Sequence, residues 1–481
     1  MIGLGTLTQR VGIVALGRLS VTAAALATNM ILSRTLQKGE YGKLQEVFVH
    51  IQIAINIAAA GIQTSLYNFL PRLGKAKQKT FITQSILFVA CVAGAFAVGC
   101  YVGAEAIAHW LHEPDAASLI RFGAGALFVS ALATIADPLF IVAGRADLSA
   151  LAACLTAIVH VVLVGVFVRS SDTLSLFFLI FAAGQALRLL WSLGLTLARL
   201  GTPHWLTFSP SLARQQLAFL FPVALVAVLD TVSSYLDRVL VARFFDAVSM
   251  ATYVNGAVEL PFLGILMGAV TPVLLPHLAK LLSEGKLDDV HRVWTRAVRK
   301  GAVILFGLFW LFLWISEEFI VLLFSERYRE SALFFRIYLC LLPFRAIAFQ
   351  PLLFALGRPG TVFVGAAADV LLNFVLSIVL IRNTSLGMAG AAWGTVIATM
   401  CQCAYYLIVI RQEMQCAWRS LLPWSALASD MLVAGAWMAP LALAKLAGFG
   451  AIRLFLFALL LGGSYIGFVV YPTLKDHRKA A

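Results

Sequence analysis

Long apolar runs recur along the whole chain, and this recurrence restricts the fold more than any other feature. A helix that crosses a bilayer needs about 20 mostly apolar residues. Only 12% of the residues are charged, whereas soluble domains are about 25% charged. The sequence therefore predicts an all-α polytopic membrane protein. Fourteen candidate transmembrane spans are found at residues 11–33, 44–69, 82–103, 118–142, 147–168, 174–198, 215–242, 251–276, 299–323, 332–356, 361–381, 388–410, 423–445 and 453–471.

The distribution of Lys and Arg among the connections predicts the orientation of the spans. If the odd-numbered spans run outward, the inner connections hold twenty of these residues and the outer connections hold ten. Cytoplasmic connections carry the excess of positive charge. We therefore expect both termini in the cytoplasm. The formal net charge of +13 then reflects contact with anionic lipids, and no nucleic-acid partner is expected.

Short motifs recur in the same order in two parts of the chain. "LPRLGKAK" after span 2 matches "LPHLAKLL" after span 8, and "ILSRTL" after span 1 matches "VLVARFF" after span 7. "FIVAGRADLSA" after span 4 matches "LLFALGRPGTV" after span 10, and the three offsets are 205, 209 and 213 residues. Six spans separate the copies, so both have the same orientation. We predict two six-helix lobes, residues 1–200 and 201–412, related by an axis along the membrane normal, and an appended helix pair at 413–481.

Several acidic side chains lie within the apolar runs, where a charge costs about 2.5–3.5 kcal/mol at the bilayer centre. Span 7 holds Asp230, Asp237 and Arg238; Glu259 lies in span 8 and Asp369 in span 11. Because Asp230 and Asp237 are seven residues apart, a helix places them nearly on one face. Two interpretations remain open for these residues, namely a coupling site for a proton or sodium ion, and ion pairs that hold helices together.

Three arginines within the spans are candidates for an anion site. They are Arg18 in span 1, Arg188 in span 6 and Arg345 in span 10. A guanidinium group stays charged and makes bidentate contacts with phosphate oxygens, so it suits a pyrophosphate. Arg345 has an alternative role as the ion-pair partner of Asp369.

Uncharged polar side chains within the spans include Asn56 and Asn373, which are candidates for sugar contacts. Interhelical hydrogen bonds are the usual role of such side chains. The seven cysteines are scattered through apolar runs without the spacing of metal ligands. We therefore expect neither a metal site nor a cofactor.

Four stretches resemble signatures of the multidrug/oligosaccharidyl-lipid/polysaccharide (MOP) exporter superfamily. They are "SRTLQKGEYGKLQ", "SSYLDRVLVARFF", "RYRESALFFRIYLCLLPFRAIAFQPLLFALGRPG" and "NFVLSIVLIRNTSLGMAGAAWGTVIAT". The chain is most similar to the polysaccharide-biosynthesis (Wzx-like) branch. This resemblance implies a MATE/MOP-like fold in which two lobes rock about a central cavity.

The resemblance also implies a function. Members of this branch are flippases that move an undecaprenyl-pyrophosphate-linked oligosaccharide, such as an O-antigen, exopolysaccharide or capsule repeat unit, from the inner to the outer leaflet. It implies a monomer in a bacterial inner membrane that is coupled to an ion gradient. Such a protein works beside polysaccharide polymerases and glycosyltransferases. First-span arginines line the cavity of related flippases, which favours Arg18 as the anion ligand.

Two other functions compete with this one. A MATE-type cation/drug antiporter of the same superfamily is expected to have a cavity dominated by acids, so the arginines within the spans favour the lipid-linked cargo. A membrane-embedded polysaccharide polymerase or glycosyltransferase needs a long external loop or a supported pair of carboxylates. The acid pairs at 288–289 and 317–318 lie in short connections. The sequence therefore predicts a transporter without enzymatic activity.

Overall fold

The computed structural model describes residues 7–200, 208–258, 260 and 263–475. Within these ranges it describes no side chain at residues 7–16, 18, 146, 263–269, 272 and 474. All regular structure in the described ranges is helical. Because a backbone in lipid must satisfy its own hydrogen bonds, this is the architecture that the long apolar runs require.

The chain forms two compact units, Met1–Ala251 and Thr252–Ala481. The helices of the first unit are α1 (Leu7–Thr35), α2 (Lys38–Ala58), α3 (Ile62–Phe69), α4 (Lys75–Val102), α5 (Ala104–Trp110), α6 (Ala117–Ala133), α7 (Ala136–Val142), α8 (Ala146–Phe167), α9 (Leu174–Leu200) and α10 (Pro210–Phe244). Helix α11 (Ala247–Gly256) contains the boundary. The division into lobes at residues 200 and 412 stays a prediction.

The second unit continues with twelve further α-helices. They are α12 (Leu263–Ser283), α13 (Leu287–Trp314), α14 (Ser316–Phe324), α15 (Ala332–Leu339), α16 (Leu342–Arg345), α17 (Phe349–Ala355), α18 (Pro359–Asn383), α19 (Met388–Met414), α20 (Trp418–Leu421), α21 (Trp424–Leu446), α22 (Ala451–Tyr465) and α23 (Tyr471–Lys475).

Among the described residues, twelve helical segments are long and apolar enough to cross a membrane. They coincide with the predicted spans other than spans 1 and 8. Span 1 lies in the 29-residue helix α1, and span 8 is shared between α11 and α12. The prediction of an all-α, multi-pass membrane protein is confirmed, and the count of fourteen spans is consistent with these helices.

Spans 4 and 10 are interrupted at matched places. Helix α6 gives way to α7 at Ala136, and α16 gives way to α17 at Phe349. These two helix starts are 213 residues apart, which is the offset of the repeated motif that follows them. The sequence repeat is therefore also a repeat of local backbone structure.

The repeated Gly-Arg motif closes both interrupted spans with the same backbone conformation. Gly144 and Gly357 have φ of +75° and +72°. The N–H of Arg145 donates to the carbonyl of Phe140 at 2.9 Å, and the N–H of Arg358 donates to the carbonyl five residues before it at 2.9 Å. This is the left-handed helix ending that favours glycine. The rotation that relates the two halves stays a prediction.

Three connections of the first unit lie close together at one end of the unit. Lys43 at the start of α2 pairs with Glu113 between α5 and α6, at 3.0 Å. Arg243 at the end of α10 lies 3.1 Å from Nε2 of His112 in the same α5–α6 connection. The connections after spans 1, 3 and 7 were all predicted on the outer side, and they are neighbours here. We call this end of the unit the predicted outer end.

An ion-pair network joins two connections of the second unit. The carboxylate of Glu317 lies 2.7 Å from Arg336, 3.3 Å from Arg329 and 3.8 Å from Lys445. The hydrogen bond from Arg336 and the surrounding positive charges hold the pKa of Glu317 below its ordinary value. This network ties the end of α13 and the start of α14 to α15 and α21.

Small residues allow α18 and α19 to pack closely. A Cβ on Gly394 would overlap Ser377, and a Cβ on Gly390 would lie 2.9 Å from the backbone of Ile381. Close contact of this kind between small residues is a common way for helices to associate in lipid. The "GMAGAAWGT" stretch is therefore a packing surface of the second unit.

Candidate functional site

Two close contacts place α2 and the start of α3 against the α10–α11 segment. A Cβ on Gly42 would overlap the carbonyl of Ala247, and a Cβ on Gly61, between α2 and α3, would lie 3.2 Å from the nitrogen of Ala224. Residue numbers rise along one helix as they fall along the other, so the helices are antiparallel. Asn56 of α2 is five residues from Gly61, and Asp230 of α10 is six residues from Ala224. The antiparallel helices therefore place the two residues at a similar depth, about 7.5 and 9 Å from that contact.

This register brings two of the predicted site residues to one level. Asn56 and Asp230 are both exposed, and Ser234, one turn along α10 from Asp230, is exposed as well. An amide, a carboxylate and a hydroxyl are thus exposed at a similar depth in two apolar helices. We call these three residues the α2–α10 polar surface. Such groups within spans are expensive unless they face water or a ligand.

Arg188 lies beside an acid that the sequence analysis did not select. Its guanidinium forms an ion pair with Asp137, which lies directly after the interruption between α6 and α7. Ser149 of α8 donates a hydrogen bond to the same carboxylate at 2.6 Å. Asp137 thus joins α7, α8 and α9. The anion-site role of Arg188 stays a prediction, and the structure adds a competing partner for its charge.

Arg345 lies in the interrupted span of the second unit. It is exposed, and it ends the four-residue helix α16. Beyond it, the carbonyl of Ala348 accepts a hydrogen bond of 3.0 Å from the fully buried Trp294 of α13. This hydrogen bond satisfies a carbonyl between α16 and α17, so packing against α13 stabilises the interruption of the span. Discontinuous spans are common at transporter binding sites.

Asp237 and Asp369 are buried within their units, and Arg238 is half-buried. Asp237 is 4% exposed, and Arg238 lies over the ring of Tyr235 at 5.5 Å. Asp369 is 5% exposed and accepts a hydrogen bond of 3.3 Å from Thr399 of α19. The buried acids thus lie in helix–helix contacts, and their role in ion coupling stays a prediction.

Asn373 has no exposed surface. Its Oδ1 accepts hydrogen bonds from Ser377 at 2.9 Å and from Thr395 of α19 at 3.3 Å. In this conformation the side chain links α18 to α19, which is the ordinary role of an amide in a span. A sugar contact by Asn373 stays a prediction that needs another conformation.

Two predicted residues lie outside the described part of the chain. They are Glu259 and the side chain of Arg18, although the backbone of Arg18 lies in α1. Their roles stay predictions.

Sequence reasoning missed two acids, Asp137 and Glu46. Asp137 stands in "IADPLF", where an acid before proline within an apolar run signals an interrupted helix. Glu46 lies near the start of predicted span 2 and was not selected as a site residue. The structure buries it to 1% exposure.

The chain was compared with known families and structures. Residues 31–333 match the family model described as polysaccharide biosynthesis protein. No curated protein matches the chain.

Several solved structures have the same fold. The structure of "Lipid II flippase MurJ, inward closed conformation" matches with a TM-score of 0.72 at 15% identity, covering 95% of this chain and 99% of that one. An inward-facing multidrug resistance MATE family transporter of the MOP superfamily matches with a TM-score of 0.68 at 13% identity, covering 83% and 98%. A MATE transporter in the bent conformation gives 0.57 at 12% identity, covering 85% and 96%.

These identities are low, so the structural matches establish the fold alone, which the chain shares with this flippase and these transporters. The family model covers well over half of the chain and establishes the family. The chain belongs to the family of polysaccharide biosynthesis proteins.

Proposed function

We propose that the protein is a flippase for an undecaprenyl-pyrophosphate-linked oligosaccharide, which it moves from the inner to the outer leaflet by alternating access. The observation that carries the proposal is the match of residues 31–333 to the polysaccharide biosynthesis family, combined with a fold shared with a lipid II flippase. Both point to transport of a lipid-linked cargo and away from catalysis.

The chemistry of that cargo assigns roles to individual residues. A pyrophosphate needs a cationic, hydrogen-bonding partner, and arginine provides two parallel N–H donors. Arg345 is exposed at a discontinuous span, and Arg18 is the corresponding candidate in α1. The α2–α10 polar surface, with the exposed amide of Asn56 and the exposed carboxylate of Asp230 at a similar depth, supplies donors and acceptors for sugar hydroxyls.

The setting of the protein follows from the same proposal. It acts as a monomer in a bacterial inner membrane, with both termini in the cytoplasm, beside the glycosyltransferases and polymerase that make and use its cargo. The positive charge of the predicted inner connections supports this orientation.

Reporter fusions after Lys79 and after Lys300 should report cytoplasm, and a fusion within residues 105–115 should report the outside. A reversed signal at any of the three positions would contradict the orientation.

Complementation of a flippase-null strain tests the function directly. Arg345→Ala should abolish export of the polysaccharide while membrane abundance stays at the wild-type level, and Arg345→Lys should restore only part of it because the planar fork is lost. Arg419→Ala is the matched control, because Arg419 is an exposed arginine outside the spans. Full export by Arg345→Ala at normal abundance would refute its assignment, and failure of the wild-type chain to support export of any lipid-linked glycan would refute the function.

A second candidate is a cation/drug antiporter of the MATE type. The exposed Asp230 favours it, because a carboxylate at mid-span is a suitable ligand for a cationic drug. Drug-susceptibility assays with wild type and Asp230→Asn separate the two functions. Drug resistance that depends on Asp230, without a polysaccharide defect, would replace the flippase proposal.

A further inference from the structure

Glu46 is a buried acid to which neither site above gives a role. It lies in α2, 1% exposed, and neither carboxylate oxygen has a hydrogen-bond partner among the described residues. A charged carboxylate without partners is costly to bury, so such a group is neutralised by a proton or a cation. The burial and the missing partners therefore point to a ligand.

Two acids near Glu46 disfavour a further negative charge there, whereas the nearby Lys43 favours one. Lys43, three residues earlier on the same helix, is engaged by Glu113 at 3.0 Å. Asp246, between α10 and α11, is close enough to repel it, as is Glu113. Hydrogen bonds from the side chain and backbone of Ser249 hold the pKa of Asp246 below its ordinary value, so Asp246 is ionised at neutral pH. An ionised Glu46 would be both dehydrated and repelled.

The remaining titratable groups around α2 do not compensate its charge. One turn deeper, Nδ1 of His50 donates to the carbonyl of Glu46 at 2.7 Å, which leaves Nε2 as a bare acceptor without a partner among the described residues. From α10, Asp237 is buried at the level of His50, and Arg243 contacts the α5–α6 connection. From α6, Arg121 pairs with an acid of α5 at 2.9 Å, and Arg34 is exposed at the end of α1.

We propose that Glu46 is a proton-binding site and that its protonation decides which acid Lys43 pairs with. With Glu46 neutral, Lys43 pairs with Glu113, as in this structure. When the O–H bond of Glu46 breaks and the proton leaves to water, the carboxylate competes for Lys43, because residues three apart on a helix are neighbours. Glu113 and the 103–117 connection are then released. We call this exchange of partners the Lys43 latch.

The latch deepens the proposed function and rests on it only for its effect on transport. In the proposed flippase, it would link a proton gradient to the predicted outer end of the first unit. Proton binding by Glu46 itself holds for any cargo. Spectroscopy therefore tests the site separately from export.

Infrared difference spectra of the purified full-length protein, between neutral and alkaline buffer, test the proton site. The wild type should show loss of a protonated carboxylic-acid C=O band at alkaline pH, and Glu46→Gln should lack that band. Glu40→Gln is the matched control, because Glu40 lies in the same helix with each carboxylate oxygen held by a backbone N–H at 3.1 Å. A spectrum of Glu46→Gln identical to that of the wild type would overturn the proposal. Calorimetry that detects sodium binding to the wild type but not to Glu46→Gln would also overturn it.

Hydrogen–deuterium exchange of residues 103–117, corrected for the intrinsic pH dependence of exchange, tests the latch. Protection of this segment should fall in alkaline buffer in the wild type and in Glu40→Gln, and stay constant in Glu46→Gln. The same loss of protection in Glu46→Gln would refute the latch. Export assays with Glu46→Gln then report on coupling. A Glu46-dependent infrared band in a chain without flippase activity would keep the site and refute the proposed function alone.

Discussion

Replacing Asp137 by asparagine removes the negative partner of Arg188 and leaves a positive charge between α7 and α9. Breaking a fully buried pair costs about 3–5 kcal/mol, whereas exposed pairs contribute about 0.2–1 kcal/mol. The Arg188 side chain is 18% exposed and that of Asp137 is 33% exposed, so this pair lies between the two limits. We expect Asp137→Asn to lower the free energy of unfolding by about 2 kcal/mol, with part of the loss from the Ser149 hydrogen bond.

A double-mutant cycle measures the pair itself. Asp137→Asn, Arg188→Gln and the double variant are compared by apparent melting temperature in detergent and by membrane abundance. The double variant should be more stable than the sum of the single changes predicts, by about 1–2 kcal/mol, because it leaves no unpaired charge. Arg199→Gln is the matched control, since Arg199 lies in the same helix and bonds only the carbonyl of Val142, at 3.2 Å, among the contacts seen here. Strictly additive effects of Asp137→Asn and Arg188→Gln would refute the reasoning.

The same variants test the anion-site prediction for Arg188. If Arg188 serves only as the partner of Asp137, the double variant should regain export along with its stability. If Arg188 binds the pyrophosphate, the double variant should be stable and inactive. The two roles therefore separate in one strain set, provided that export is normalised to membrane abundance.

Three further variants test the packing and charge of the second unit. The pKa of Glu317 is lowered, mainly by the hydrogen bond from Arg336. The ionised carboxylate therefore stabilises the fold fully at pH values above the ordinary carboxyl pKa. This stabilisation is lost as the pH falls through the lowered pKa. Glu317→Gln should therefore be less stable than wild type at neutral pH, with a smaller loss on acidification, in melting curves recorded across that range; parallel curves would contradict this. Gly394→Leu should reduce membrane abundance severely because its side chain overlaps α18, while Gly360→Leu, with open space around it, should not; equal abundance would show that the close helix contact is dispensable. Gly357→Ala should cost about 1–2 kcal/mol because its φ of +72° strains a residue with a Cβ, and an unchanged melting temperature would contradict the left-handed ending.

Much of the fold could be predicted from the sequence because bilayer thickness and backbone hydrogen bonding leave few alternatives. The apolar runs predicted helices at almost all the places where long helices lie, and one of the repeated motifs coincides with the matched helix endings at Gly144 and Gly357. These features depend on local residue pattern. They need no knowledge of which helices become neighbours.

The candidate site depended on tertiary structure, because exposure and pairing are decided by neighbours distant in sequence. Asp230 and Asp237 lie nearly on one face of α10, yet Asp230 is exposed and Asp237 is buried. Arg188 forms an ion pair with Asp137, which is 51 residues away in the sequence. The sequence did not single out Glu46, and its burial to 1% exposure depends on the helices packed around it. The sequence by itself determined the membrane helices, their order and their repeat, since hydrophobic length acts locally; the tertiary structure decided which charges are paired, buried or open to a ligand, since electrostatic cost depends on all the groups packed around a charge.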